Sequence, residues 1–350
     1  MPKIPRHSTI RSAAPILAVM AVLSSVAIPA SAQQYPSDRW NIAWLRTGQA
    51  HSYYAGDDAD NVAKISIGVS NVGRFEITDS GQTVTDQVTG LVWMRDPSRF
   101  PQATWLIQKQ RCDDLVLAGK DDWRMPNILE LLSIIDVSKF PCAPVEFLFP
   151  NDNNNETFFG GDIITGRPDY FYEAGFRIPN SGSCQGGKSY ALCFVRPVRA
   201  GKPYAAGDFH TLPDGKIYED KTTGLYWRYV NSGVETHLKD ALTSAAVATC
   251  GGFNDWRIPN ANEFNSLFVP TKVHPAFDAR LKFAEIDYST STISDYLGIK
   301  DVTLVPGAGM GYAFTPKDSD NSGASLSYLM VRGKFPPPHR VAARNWLFFR

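Results

Sequence analysis

The chain has 350 residues, 43% of them hydrophobic, with 35 basic against 35 acidic side chains. That length supports two domains of ordinary size. Residues 74–200 hold 13 basic against 16 acidic groups and residues 201–333 hold 12 against 15, so neither half offers the basic field that nucleic acid or a polyanionic glycan requires.

Lys3, Arg6 and Arg11 precede an apolar stretch over 13–28, and Ala30-Ser31-Ala32 follows as a small-x-small site. This pattern reads as a secretory signal peptide over residues 1–32, because the apolar run falls short of the ~20 residues of a spanning helix. No second stretch of that kind follows. The expectation is a mature chain outside the cytoplasm without a transmembrane segment. Residues 33–73 carry Trp40, Trp44, Tyr53, Tyr54 and the acidic run DDAD at 57–60. They read either as a strand pair packed on the next domain or as a partner-binding arm.

Beyond that extension the chain repeats itself. SGQTVTDQVTGLVWMR at 80–95 aligns without a gap with DGKIYEDKTTGLYWRY at 214–229, and DWRMPN at 122–127 returns as DWRIPN at 255–260. The period of 133 or 134 residues is too long for a solenoid and implies two tandem domains, 74–200 and 201–333. Each opens on strand, turn and strand. Asp86 and Asp220 are placed to accept hydrogen bonds from turn N–H groups, and Gly90 and Gly224 supply the positive φ that closes such a loop. Trp93 and Trp227 follow in the second strand.

A helix is expected next, over 103–117 in the first copy and 237–249 in the second, stopped by Gly119 and Gly251. Within the repeated hexamer, Pro126 and Pro259 end the preceding segment, and Asn127 and Asn260 stand as N-caps with Glu130 and Glu263 three residues on. The hexamer therefore starts a second helix. Trp123 and Trp256 read as buried, with Arg124 and Arg257 paired to the preceding Asp or to a carbonyl; a ligand-facing Trp/Arg pair is the functional alternative. YALCFVR at 190–196 and SYLMVR at 327–332 read as matching closing strands. Residues 334–350 form a Pro-rich tail with an aromatic, basic end, which folds back on a domain or docks to a partner.

Five cysteines in an oxidising compartment suggest two disulfides and one free thiol. Cys112, Cys142, Cys184 and Cys193 lie in the first half, and Cys250 stands alone in the second, aligned with Cys112.

Taken together, TVTDQVTGLVWMR, a Cys-bearing helix, DWRMPN-x-x-E and a terminal VR strand resemble the Lcl C-terminal domain family of extracytoplasmic bacterial proteins, in two copies. The family takes its name from the C-terminal domain of a collagen-like adhesin. Helix, Cys, Gly-Gly, helix and strand in that order are also similar to C-type lectin-like domains. These resemblances imply an α+β fold of two tandem C-type-lectin-like domains, each with short antiparallel strands and two helices. They further imply a Cys112–Cys193 disulfide, leaving Cys142–Cys184 as the second and Cys250 as the free thiol. In the second copy Leu329 and Met330 stand opposite Cys193. A Trp-Ser-Ser stretch common in the family has YSTSTIS at 288–294 as its second-copy counterpart, with no clear match in the first.

Catalytic constellations are absent from the sequence. The five His outside residues 1–32 have no counterparts across the repeat, and neither a zinc helix nor a nucleophile elbow occurs. GAGMG at 307–311 lacks the spacing of a dinucleotide loop. DSDNSG at 318–323 offers Asp318, Asp320 and Ser322 as calcium ligands, but Leu329 occupies the place of the bidentate Glu, which excludes an EF-hand. NDNNNET at 151–157 reads as an exposed loop. No cofactor and no metal site is expected, calcium being the one ion with candidate ligands. The reading is a non-enzymatic, secreted or surface-associated adhesion-type protein that contacts a glycan or an extracellular or envelope protein through loops. A structural component of an envelope appendage is the second reading. An oxidase of the formylglycine-generating type is the third, and the lone Cys250 argues against it.

Overall fold

Each copy begins where the sequence places its strand–turn–strand unit. The computed structural model describes residues 38–65, 71, 73–136, 157–175, 183–230, 238–272, 277–283, 288–293, 303–304, 314–315 and 327–333. In the first copy, β1 (Phe75–Thr78), β2 (Thr83–Asp86) and β3 (Leu91–Met94) form an antiparallel meander. The buried Asp86 accepts from the backbone N–H of Val88 and Thr89 and from the Thr89 hydroxyl, while Gly90 sits at φ 73°. Two helices follow, α2 (Trp105–Asp113) and α3 (Ile128–Ser133), then β4 (Thr157–Phe159), β5 (Tyr170–Gly175), β6 (Ser183–Gly186) and β7 (Val198–Ala200).

The second copy repeats this order with β8 (Phe209–Thr211), β9 (Ile217–Asp220), β10 (Leu225–Val230), α4 (Leu238–Ala246), α5 (Ala261–Asn265), β11 (Tyr288–Ser289), β12 (Thr303–Leu304), β13 (Phe314–Thr315) and β14 (Ser327–Arg332). Its strands make one sheet in the order β13-β12-β11-β14-β10-β9-β8, antiparallel except for β11 against β14. In the first copy the same arrangement is split into β1-β2-β3-β7 and β4-β5-β6. Phe158 and Phe194 join the two parts by a parallel bridge, just as Tyr288 pairs with Ser327. The chain is a mixed α+β protein of two like domains.

Both predicted first helices exist but are shorter than expected. The helix over 103–117 ends at Asp113, since Leu117 and Lys120 close a tight turn with Ala118 and Gly119 at positive φ. The second helices begin at the expected caps. Asn127 and Asn260 each accept from the N–H of the Glu three residues on, whose carboxylate accepts from the cap N–H in return. Helices of six and five residues are too short to hold themselves; all of their residues are buried, so tertiary packing holds them.

Among its described residues the N-terminal extension forms no strand pair. It forms a short 3₁₀ turn, Ile42–Trp44, and a helix, α1 (Asp58–Ile65). Trp40, Ile42, Ala43 and Leu45 enter a core shared by Leu129 and Leu132 of α3 and by Phe264 and Phe268 of the second copy. Trp40 pairs with the 203–205 connector through Trp40 N–Pro203 O and Ala205 N–Trp40 O, and its ring meets Tyr204 edge-on at 4.9 Å. The copies also touch directly where the Tyr172 hydroxyl donates to Lys272 O at 2.7 Å. Among the described residues no helix is long and apolar enough to cross a membrane.

Candidate binding face

The repeated hexamer is scaffold. Trp123 and Trp256 are buried, and their indole N–H groups donate to Leu117 O and Cys250 O. Arg124 makes two bonds to Glu130, at 2.8 and 2.7 Å, and Arg257 makes two to Glu263, at 2.6 and 2.5 Å. The Arg therefore pairs with the helix-capping Glu and not with the Asp before it. That Asp serves elsewhere: Asp122 receives Arg199, and Asp255 receives Arg332. These Arg side chains hold both acids below the ordinary carboxylate range. A six-residue Arg-to-Glu spacing in both copies was the available sign of the first pairing.

This geometry corrects three alignments made from sequence. Arg124 and Arg257 bridge to Val198 and Val331, so the closing strands match as 198–200 and 331–333, and Val195-Arg196 is not the counterpart of Val331-Arg332. Cys250 bridges Phe253 as Leu117 bridges Lys120; it occupies the place of Leu117, and Ala245 occupies that of Cys112. The missing first-copy partner of YSTSTIS also comes into view. Gly161 N donates to Pro126 O as Ser291 N donates to Pro259 O, so Gly160-Gly161-Asp162 matches Thr290-Ser291-Thr292. Length and composition had hidden it.

Cys112 on α2 and Cys193 share one apolar cluster with Trp105, Phe159 and Phe171, both as free thiols. Burial pushes Cys112 up to about 12 and Cys193 higher still. The corrected register sets Ala245 and Leu326 opposite them, so the second copy lacks both members together. Cys250 is a half-buried free thiol. Cys142, Asp318, Asp320, Ser322 and the tail lie outside the described residues, as does the Cys184 side chain. No group of three or more metal-ligating side chains occurs among the described residues.

A second carboxyl stands beside each Arg–Glu pair. Asp162 accepts from Ile128 N at the start of α3, and burial, with Glu130 nearby, raises it to about 7. In the second copy Thr292 takes that bond from Ala261 N and passes its own hydroxyl to Asp58, a residue of the N-terminal extension. Burial raises Asp58 to about 6. One buried site is thus completed from within the first copy and by the extension in the second.

Around Asp162 the surface turns apolar. Trp105 donates its indole N–H to Gly160 O at 2.9 Å, and Lys188 Nζ lies 4.3 Å from the Trp105 ring centre. Leu106 and Ile107 follow Trp105 on α2, Ile163 follows Asp162, Tyr190 lies against Gly187, and Leu192 precedes the Ala103–Cys193 bridge; all five are exposed. The matching described positions of the second copy read Lys239, Asp240 and Ile293, opposite Leu106, Ile107 and Ile163. Ile163 is 67% exposed and Ile293 only 1%. Single exposed apolar residues need no explanation; the contrast between Ile163 and its covered counterpart, and between Leu106, Ile107 and the charged Lys239, Asp240, is what points to an interaction site.

A family model described as the Lcl C-terminal domain matches residues 82–199 and again residues 216–321. No curated protein and no solved structure matches the chain.

Proposed function

Because the chain belongs to the Lcl C-terminal domain family, with two copies in tandem, we propose that it is an extracytoplasmic bacterial binding protein of adhesion type that contacts its partner through the apolar face of the first copy. The observation that carries this reading is the exposure of Leu106, Ile107, Ile163, Tyr190 and Leu192 on one copy, against charged or covered residues at the described counterparts Lys239, Asp240 and Ile293. Family membership and the leader-like residues 1–32 support export, and the helix–helix–strand order in each copy supports a C-type-lectin-like domain.

Four of those five side chains are aliphatic, which favours a protein partner over a sugar: carbohydrate would be met by aromatic faces and planar polar groups. A non-enzymatic role rests on the cysteines. A reactive thiol needs a lowered pKa and access, and Cys112 and Cys193 have neither. An assembly component of an envelope appendage would use the same face, since a subunit contact also buries aliphatic residues.

The test is a binding assay of the purified protein on extracellular and envelope proteins and on a glycan array, with Ile163→Asp and Tyr190→Ser as controls. Saturable binding to one protein, lost in both variants, supports the reading. Sugar hits indifferent to both variants overturn it.

A further inference from the structure

We infer that residues 47–61 are a releasable strap that fills, in the second copy, the face left open in the first, so the protein carries one open and one self-occupied site. The inference rests on the binding reading above and adds its regulation. Superimposing the repeats by their hydrogen bonds puts Ile293 where Ile163 stands. Ile163 faces solvent; Ile293 lies beneath the strap, with its N–H donated to Gln49 Oε1 at 2.6 Å. Tyr53 and Tyr54 cover the same cluster as Ile293 and Leu238, the residue that matches Trp105.

The strap is pinned by polar contacts, which water can replace. Across to the second copy, Asp58 accepts from Asn260 Nδ2 at 3.1 Å and from Thr292, and its N–H donates to Ser291 O at 2.9 Å; within the strap it also accepts from Thr47. Within the strap, Asp57 accepts from the N–H groups of Tyr53, Tyr54 and Asp60, so the segment carries its own turn when it lifts. Gly48, at φ 104°, stands at its start. A cleft of about 380 Å³ lined by Arg46, Gly48, Ala59, Val62 and Asp136 borders it. The apolar wedge from Trp40 to Leu45 lies outside the strap and stays in place.

The same contacts make release depend on pH. Facing Asp58 are Glu263 of α5 and Arg257 before it, with Asp255 two residues before Arg257; the 289–293 stretch brings only hydroxyls, the strap itself brings Asp57 and Asp60, and Lys64 follows it on α1. Docking holds Asp58 at about 6, against an ordinary 3.8 when released. A raised acid favours docking below 3.8, and that preference is lost as pH rises through 6, so the strap loosens toward alkaline pH.

Hydrogen exchange on the full chain tests this without a ligand, at pH 5 and pH 8 with rates referred to intrinsic exchange. Amides of 53–61 should lose protection at pH 8 by roughly tenfold relative to β14, and Asp58→Asn should flatten the dependence. Strap amides that track β14 at both pH values overturn the inference, and that wild-type comparison stands even if the variant fails to fold. A negative result here leaves the first copy's face intact, while loss of partner binding there leaves the strap intact.

Discussion

The two turn aspartates show how one residue can serve the same local role with different stakes. Asp86 and Asp220 both organise their turns, but Asp86 also holds the fully buried Arg74 at 2.6 Å, whereas Asp220 accepts from the N–H of Asp208 instead. Removing one member of a buried ion pair strands the other. Asp86→Ala should therefore cost about 3–5 kcal/mol in chemical denaturation, and Asp220→Ala about 1–3 kcal/mol. Equal losses would show that Arg74 contributes nothing through Asp86. The Arg–Glu pairs differ in the same sense. Arg257 is 8% exposed and Arg124 43%, so Arg257→Met should destabilise more than Arg124→Met by the same assay. Asp162 adds a pH signature, because its folded value of about 7 lies above the ordinary 3.8. Its contribution is complete below 3.8 and fades as pH rises through 7. Asp162→Asn should thus gain on wild type between pH 5 and pH 8, by at most roughly 3 kcal/mol; a constant difference across that range would remove the buried carboxyl from the account.

At the scale of elements, short-range signals were legible and long-range ones were not. Pro126-Asn127 with Glu130, and Pro259-Asn260 with Glu263, announced two capping boxes because cap and partner lie within one turn of chain. Asp86, Gly90 and their counterparts announced the turns for the same reason. The closing strand was placed three residues off in the first copy because two VR pairs, at 195–196 and 198–199, compete in sequence. Only the bridge from Arg124 to Val198 decides between them. Cys112 and Cys193 illustrate the gain from correct register. They share an apolar cluster, and both are replaced in the second copy, as expected of residues that act as a pair. Protein exported to an oxidising compartment should give one Cys112–Cys193 bridged peptide by non-reducing mass spectrometry. Recovery of both as free thiols would limit them to packing.

For the whole molecule, duplication followed by divergence explains the arrangement. The extension could not be placed from sequence because its partners lie far along the chain, as in Asn41 with Ala205 at 164 residues and Asn262 with Leu45 at 217. It wedges both copies into one compact unit and supplies the carboxyl that the second copy lacks. The first copy, complete in itself, keeps the apolar face free. The exposed face was equally illegible, since Leu106 and Ile107 look like core residues of an amphipathic helix; the structure buries Trp105, Gln108 and Cys112 instead. Leu106 and Lys239 occupy one position in the two copies, so a photo-reactive amino acid at each compares the faces directly. Cross-linking in bacteria that produce the protein should give a discrete protein adduct from position 106 and none from position 239. Equal adducts from both positions, or one from 239 alone, would contradict the assignment of binding to the first copy.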